Sequence, residues 1–136
     1  MPKKTILIVG TYDTKNEELE YISDTIVSMG GNVLKMDVSV LGEAKGKTDF
    51  SKHTVAEAAG KSIKTAIESG SEHIAMNIMS EGASNLASTL HSKGKFDGII
   101  LLGGTMGTDL ALDVCKALPL GLPKYVVSTV SFSPII

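Results

Sequence analysis

A glycine- and threonine-rich stretch in the last third of the chain has the residue types needed to hold an anion. It lies within residues 96–109, FDGIILLGGTMGTD, where the apolar run IILL (residues 99–102) predicts a buried parallel strand. Residues 103–108 then form a turn, and a helical pattern begins at Asp109. A strand, such a turn and a helix in this order direct free backbone N–H groups and the positive end of a helix dipole at one point. This arrangement favours a phosphate.

Five residues of this turn are candidates for the phosphate contact. The glycines allow the backbone to approach a ligand closely, and the threonine hydroxyls add donors without charge. The candidates are Gly103, Gly104, Thr105, Gly107 and Thr108. The alternative is an ordinary turn between a strand and a helix that binds nothing, because glycine-rich turns are common in α/β folds.

A second turn, residues 10–15 (GTYDTK), follows another apolar run, TILIVG, which also predicts a buried parallel strand. Thr14 and Glu17 form a capping-box pattern, which predicts a helix that begins at about Lys15. In this turn Lys15 is a candidate partner of a phosphate, and Asp13 is a candidate ligand of magnesium, directly or through water. Helix capping alone is the alternative role of Asp13 and Thr14.

The order of the elements predicts an α/β fold. Apolar runs and helical periodicities follow one another as β-α-β-α-α-β-α-β. Right-handed crossovers then give an open, mostly parallel, Rossmann-like sheet in the order 2-1-3-4 with flanking helices. The first and third strands become neighbours, so residues 10–15 and 103–108 face each other at the carboxyl edge, where such sheets bind ligands.

The remaining elements are predicted from the same patterns. Residues 32–40 alternate between apolar and polar types, which predicts a less buried strand near the sheet edge. Thr54 and Glu57 form a second capping-box pattern, and the helical periodicity that it opens continues to Ile67. A further helix contains Gly82, which we expect to mark the close approach of another element.

Three more residues are predicted at the ligand edge. Asp37 lies near the end of the second strand, where an acid that binds ribose is expected, and Ser128 and Thr129 end the fourth strand, residues 124–129. The complete predicted ligand set is Gly10, Thr11, Asp13, Thr14, Lys15, Asp37, Gly103, Gly104, Thr105, Gly107, Thr108, Ser128 and Thr129.

Other motifs for catalysis or phosphate binding find little support. Residues 42–48 (GEAKGKT) resemble a P-loop, but three residues separate the glycines where the motif has four. The histidines, His53, His73 and His91, have no spacing typical of metal ligands. Cys115 lies in an apolar helix, where a small buried side chain is the favoured interpretation. The glycine fingerprint of nicotinamide cofactor sites does not follow the first strand.

Composition excludes several classes of partner. A formal net charge of -2 gives no basic surface for nucleic acid or an anionic membrane, and with 4% aromatic residues there are few side chains on which bases could stack. The single cysteine rules out an internal disulfide and favours a cytoplasmic location. The apolar runs are too short to span a bilayer.

Three motifs in order resemble one known family. They are GTYDTK (residues 10–15), LGGTMGT (102–108) and LPLGLPK (118–124) followed by VST (127–129). This set is similar to the ATP-binding domain of the tomato mosaic virus resistance protein and its uncharacterised bacterial and fungal relatives. The resemblance covers nearly the whole chain and implies an α/β nucleotide-binding domain, ATP with magnesium as ligand, and self-association into dimers. Two departures from the family pattern are Met106 and residues 131–134 (SFSP).

The leading hypothesis is therefore a cytoplasmic nucleotide-binding domain for ATP with magnesium. An enzyme that acts on an anionic small molecule is one alternative, and a dimerisation or regulatory module for a missing C-terminal part is another. We expect residues 1–136 to form a single domain that is part of a longer protein, because the family members are longer. The apolar residues 133–136 (SPII) end the chain without a covering helix, so we also expect a homo-oligomer.

Overall fold

Four parallel strands form the sheet in the predicted order, β2-β1-β3-β4. The computed structural model describes residues 3–129, apart from the side chains of Thr105 and Met106. Within this part of the chain the strands are β1 (Thr5–Gly10), β2 (Asn32–Asp37), β3 (Gly98–Gly103) and β4 (Lys124–Ser128). The predictions made for residues 130–136 lie outside the described residues. The Rossmann-like α/β fold predicted from the sequence is confirmed.

Helices cover both faces of the sheet. They are α1 (Asn16–Ser28), α2 (Lys52–Ala58), α3 (Ile63–Glu68), α4 (Glu72–Ser92) and α5 (Thr105–Ala117). The larger core joins one face of the sheet to α2, α3, α4 and α5, and the smaller core joins the other face to α1. Strand β2 lies on one side of β1, and β3 and β4 lie on the other. Because the crossovers are right-handed, α1 packs on one face of the sheet and the later helices pack on the other.

Strand β1 is the centre of both cores. Its residues alternate between them, since Leu7 and Val9 belong to the larger core and Ile8 to the smaller one. Ile8 is paired in register with Lys35 of β2 and with Ile100 of β3. The pairing with β3 places the carboxyl ends of β1 and β3 side by side, as the ligand-site prediction requires.

The start of α1 agrees with the prediction, but its cap and the start of α5 differ from those predicted. Helix α1 begins at Asn16 after Lys15, and the capping box of Thr14 and Glu17 is not formed. The hydroxyl of Thr14 instead lies 3.0 Å from that of Thr11. Helix α5 begins at Thr105 rather than Asp109, so most of the predicted turn 103–108 is the first turn of the helix. Periodicity missed this start because the first turn contains no apolar repeat.

The segment between β2 and α4 also differs from the prediction. Ser51, not Thr54, caps α2, and its side chain accepts a hydrogen bond from the Thr54 amide. The single helix predicted up to Ile67 is two helices, because Gly60 adopts a positive φ of 74° and ends α2. Strand β2 ends at Asp37 rather than residue 40.

One half of the sheet is less covered than the other. On the face that carries α1, Tyr125 and Val127 of β4 remain 66% and 37% exposed.

Among the described residues no helix has both the length and the apolar character needed to cross a membrane. The predicted self-association stays a prediction.

Gly82 marks a close approach of helices, as predicted. A Cβ atom at Gly82 would overlap the backbone carbonyl oxygen of Val55 in α2. We therefore expect Gly82→Ala to lower the free energy of unfolding by about 1–3 kcal/mol, because the helices must separate. Urea denaturation measures this change. Gly107→Ala is the matched control, since its Cβ meets no described atom within 4 Å. An increase in stability for Gly82→Ala, as helix propensity alone predicts, would contradict the packing.

Candidate functional site

The junction of β3 and α5 is a tight turn that depends on Gly103. A Cβ atom at Gly103 would overlap the backbone of Gly107 and would lie 2.7 Å from the Thr108 nitrogen. The absence of a side chain at this position is therefore required by the turn itself. Because of this tight turn, the first turn of α5 follows directly on the end of β3, and the free amides of that helix turn face the carboxyl edge.

Gly104 and Gly107 lie in the same turn, but the fold does not require them. A Cβ atom at Gly104 would have the Thr129 hydroxyl oxygen, 3.9 Å away, as its nearest described contact outside the adjacent residues. A Cβ atom at Gly107 would meet no described atom within 4 Å. Neither residue has a positive φ. Both therefore leave open space in front of the N-terminus of α5.

The hydroxyls predicted to contact a ligand in this turn are partly used inside the protein. Thr108 is buried, and its hydroxyl donates to the Gly104 carbonyl oxygen at 2.5 Å. The Ser128 hydroxyl lies 2.6 Å from the Thr108 hydroxyl oxygen. These contacts tie the end of β4 to the first turn of α5. Thr129 is exposed close to Gly104, and the side chain of Thr105 lies outside the described residues.

The turn after β1 lies opposite this helix N-terminus. The Thr11 carbonyl oxygen accepts hydrogen bonds from the amides of Thr14 and Lys15, at 3.2 and 2.8 Å. This extra turn places Lys15 immediately before α1, where its partly buried side chain is not used as a cap. The structure thus brings Gly10, Thr11, Thr14 and Lys15 together with the glycines of the second turn around one cavity.

This cavity, which we call the anion cavity, has a volume of about 310 Å³. A neighbouring apolar cavity of about 570 Å³ lies between the segment after β2 and helices α3 and α4. Thr11, Thr14, Val38, Glu72 and Met76 line both, so the two cavities form one continuous groove. The remaining residues of the anion cavity are Val9, Gly10, Lys15, Leu101, Leu102, Gly103, Gly104, Gly107, Leu110 and Ala111.

Asp37 has an interior role rather than a position in the groove. It is 2% exposed, and its Oδ1 accepts hydrogen bonds from the Tyr12 amide at 3.2 Å and the Ser39 amide at 2.9 Å. The Ser39 hydroxyl lies 2.5 Å from the same oxygen. Asp37 lines neither cavity, so this geometry offers no support for the predicted ribose contact.

Asp13 is bound to the segment that follows β2. Its two carboxylate oxygens accept hydrogen bonds from the Ser39 hydroxyl at 2.9 Å and the Gly42 amide at 3.2 Å. A Cβ atom at Gly42 would lie 2.6 Å from Asp13 Oδ2, so this glycine permits the contact. Asp13 lines the apolar cavity and not the anion cavity. Its predicted magnesium role is therefore less favoured by geometry than its role in holding this segment.

Lys52, which was not among the predicted site residues, also holds this segment. Its side chain is 4% exposed, and its ammonium group donates to the carbonyl oxygens of Val40 at 3.3 Å and Gly42 at 2.9 Å. It also pairs with the exposed carboxylate of Glu43 at 2.8 Å. The hydrogen bond and charge of Lys52 lower the pKa of Glu43. No pattern in the sequence distinguishes Lys52 from the other lysines.

The remaining chemical possibilities raised by the sequence are disfavoured. Lys47, in the near-match to a P-loop, is exposed and lines neither cavity. Within residues 3–129 no group of three or more His, Cys, Asp or Glu residues is placed to hold a metal ion. Burial raises the pKa of the Cys115 thiol, which disfavours the thiolate that a nucleophile requires.

Comparison with known sequences identifies the family. A family model described as the N-terminal domain of an uncharacterised protein family, UPF0261, matches residues 4–135. The chain belongs to the UPF0261 family. Its relatives include UPF0261 proteins of Brucella suis and Clostridium tetani, which are 50% and 39% identical to it over 128 residues. These alignments cover 94% of this chain and 31% and 32% of the two relatives.

The predicted resemblance to the tomato protein is confirmed at the level of sequence similarity. The ToMV resistance protein Tm-1 of Solanum lycopersicum is 28% identical over 146 residues, which cover 93% of this chain and 19% of the tomato protein. This UPF0261 chain spans about a third of the length of its bacterial relatives. The ATP-binding part of the resemblance stays a prediction.

Substitution of Lys52 tests which interaction of its side chain holds the segment after β2 in this UPF0261 domain. We expect Lys52→Met to lower the free energy of unfolding by about 1–3 kcal/mol, because two carbonyl oxygens lose their donor. Glu43→Gln is the control, since it removes only the exposed partner and keeps both carbonyl contacts. Urea denaturation of the two variants measures the difference. Equal losses would show that the ion pair, not the carbonyl contacts, holds the segment.

Proposed function

We propose that this UPF0261 domain binds a nucleotide, ATP with magnesium, and that the anion cavity holds the phosphates. The observation that carries the proposal is the open space in front of Gly104 and Gly107. Both residues lack a side chain where the protein itself would accept one, at the N-terminus of a 13-residue helix. The close approach of an anion to the amides of this helix explains why glycine is present.

The charges around the anion cavity agree with this proposal. Among the described residues that line it, Lys15 is the one cation, and it lies across from the N-terminus of α5. An ammonium group there complements phosphate as a point charge. Thr108 and Ser128 hold the turn in position rather than contacting the ligand, because their hydroxyls are bonded to each other and to Gly104.

Magnesium fits this site as a companion of the phosphates. Magnesium commonly takes one or two protein carboxylates and completes its coordination with phosphate oxygens and water. Within the described part of the chain, Glu72 at the start of α4 is the one carboxylate that lines the anion cavity. It is therefore the residue that would hold the ion, in place of Asp13, whose oxygens are already bonded to Ser39 and Gly42. Bound magnesium would neutralise phosphate charge.

Alanine substitutions at the two open glycines test the proposal. We expect Gly104→Ala and Gly107→Ala each to weaken ATP binding tenfold or more, which corresponds to about 1.4 kcal/mol, because the new methyl group occupies the phosphate position. Calorimetric titration with ATP and magnesium measures this loss. Thermal unfolding without ligand should show both variants folded, and Gly107→Ala gains about 0.5–1 kcal/mol of stability from its helical position.

Gly121→Ala is the matched control for these substitutions. Gly121 also has open space around its Cβ position and an ordinary φ, but it lines neither cavity. The Gly121→Ala variant should bind ATP with the affinity of the wild type. Normal binding by both Gly104→Ala and Gly107→Ala would place the phosphates elsewhere. If the wild-type chain is stabilised by a phosphorylated metabolite and not by any nucleotide, the enzyme alternative is favoured over this proposal.

A pair of lysine variants separates the anion cavity from the near-match to a P-loop. We expect Lys15→Ala to weaken ATP binding by about 1–3 kcal/mol, because the phosphates lose a charged donor. Lys47→Ala should have little effect, since this exposed side chain lies outside both cavities. Titrations at two salt concentrations distinguish a direct contact from a screened long-range charge effect. The reverse ranking of the two variants would identify residues 42–48 as the phosphate loop.

A further inference from the structure

The apolar cavity lies in the same groove as the anion cavity but has a different lining. On one side are Val40 and Leu41, which follow β2, and on the other are Ile67 of α3 and Ala75 and Met76 of α4. These side chains are apolar, and the charged residues of the lining are Asp13 and Glu72. Its volume of about 570 Å³ falls within the range of small-molecule sites, and it opens onto the anion cavity.

Two large apolar side chains at this cavity remain exposed to solvent. Leu41 is 80% exposed and Ile67 is 43% exposed, although buried apolar residues of α3 and α4 lie beside them. Exposed apolar side chains that line a cavity are typical of a ligand-binding groove. The segment that carries Leu41 is also held at fixed points by Lys52 and Asp13. A preformed wall of this kind favours binding because little ordering is needed.

The groove therefore has one end with Lys15 and a helix N-terminus and another end with a mainly apolar lining, and the two ends share one set of residues. Thr11, Thr14 and Glu72 provide polar groups where the two cavities meet. A ligand that matches this order has phosphates, then hydroxyl groups, then an aromatic ring whose faces can pack on apolar side chains. We propose that the apolar cavity holds the nucleobase, with the ribose at the junction. This proposal rests on the proposed function, because the phosphates define the direction in which the ligand lies.

Substitution of Ile67 tests the proposal without changing the phosphate end. Ile67 lines the apolar cavity but not the anion cavity. We expect Ile67→Ser in the full chain to weaken ATP binding by about 5- to 10-fold, because an apolar contact with the base is lost. Inorganic tripolyphosphate with magnesium should bind this variant as it binds the wild type, because it has no base.

Ile74→Ser is the matched control. Ile74 has a similar exposure, 48%, and lies on the adjacent helix α4 outside both cavities. The Ile74→Ser variant should bind ATP and tripolyphosphate with the affinities of the wild type. Calorimetric titration of the three proteins with both ligands gives six affinities. The proposal predicts that one of these six affinities is reduced, the affinity of Ile67→Ser for ATP, and that the other variant affinities equal those of the wild type.

A second measurement reports on the cavity directly. Ala66 and Ala75 line the apolar cavity only, so their ¹³C-labelled methyl groups serve as probes in NMR spectra. ATP should shift both methyl signals strongly, whereas tripolyphosphate should leave them nearly unchanged. Equal shifts by both ligands would indicate a general change of the groove and would overturn the proposal.

The outcomes separate this inference from the proposed function. If tripolyphosphate binds the wild type and ATP binds no more tightly, the phosphate site stands and the base does not occupy the apolar cavity. An unchanged ATP affinity of Ile67→Ser, with unchanged methyl signals of Ala66 and Ala75, would likewise exclude the base from this cavity. If neither ATP nor tripolyphosphate binds the wild-type chain, both the proposed function and this inference are overturned.

Discussion

The hydrogen bonds of the buried Asp37 carboxylate are the interaction on which the carboxyl edge of the sheet depends. A buried carboxylate is costly unless hydrogen bonds satisfy it, and Asp37 receives them from the Tyr12 and Ser39 amides. These donors belong to the segments that follow β1 and β2. One carboxylate therefore fastens two neighbouring strand ends, and the position of each segment depends on the other.

Further anchors extend this arrangement to the wall of the groove. Asp13 binds the Ser39 hydroxyl and the Gly42 amide, and Lys52 binds the Val40 and Gly42 carbonyl oxygens. The segment after β2 is thus held through its backbone, which leaves its apolar side chains available to line a cavity. Burial, with a smaller effect of nearby carboxylates that include Asp37, raises the pKa of Tyr12, so its phenol stays neutral beneath this edge.

The glycines of this domain serve distinct physical purposes. Gly82 allows α4 to pack against the backbone of α2, and Gly103 allows β3 to turn directly into α5. Both are explained by contacts inside the protein. Gly104 and Gly107 have no such explanation, because a methyl group at either position would meet open space among the described residues. Their location at a helix N-terminus is what connects the fold with the proposed binding of phosphate.

The sequence by itself determined the strand order and the neighbouring turns, because apolar runs and right-handed crossovers are local or topological properties. Its motifs also indicated the similarity to the tomato protein, whereas the ATP-binding part of that resemblance stays a prediction. Only the tertiary structure assigned individual roles to Asp37, Thr108 and Lys52, since their hydrogen-bond partners lie in other segments of the chain. Residue type alone does not distinguish a buried carboxylate that holds a turn from one that faces a ligand. That distinction depends on burial and partners, which arise only when distant segments pack together.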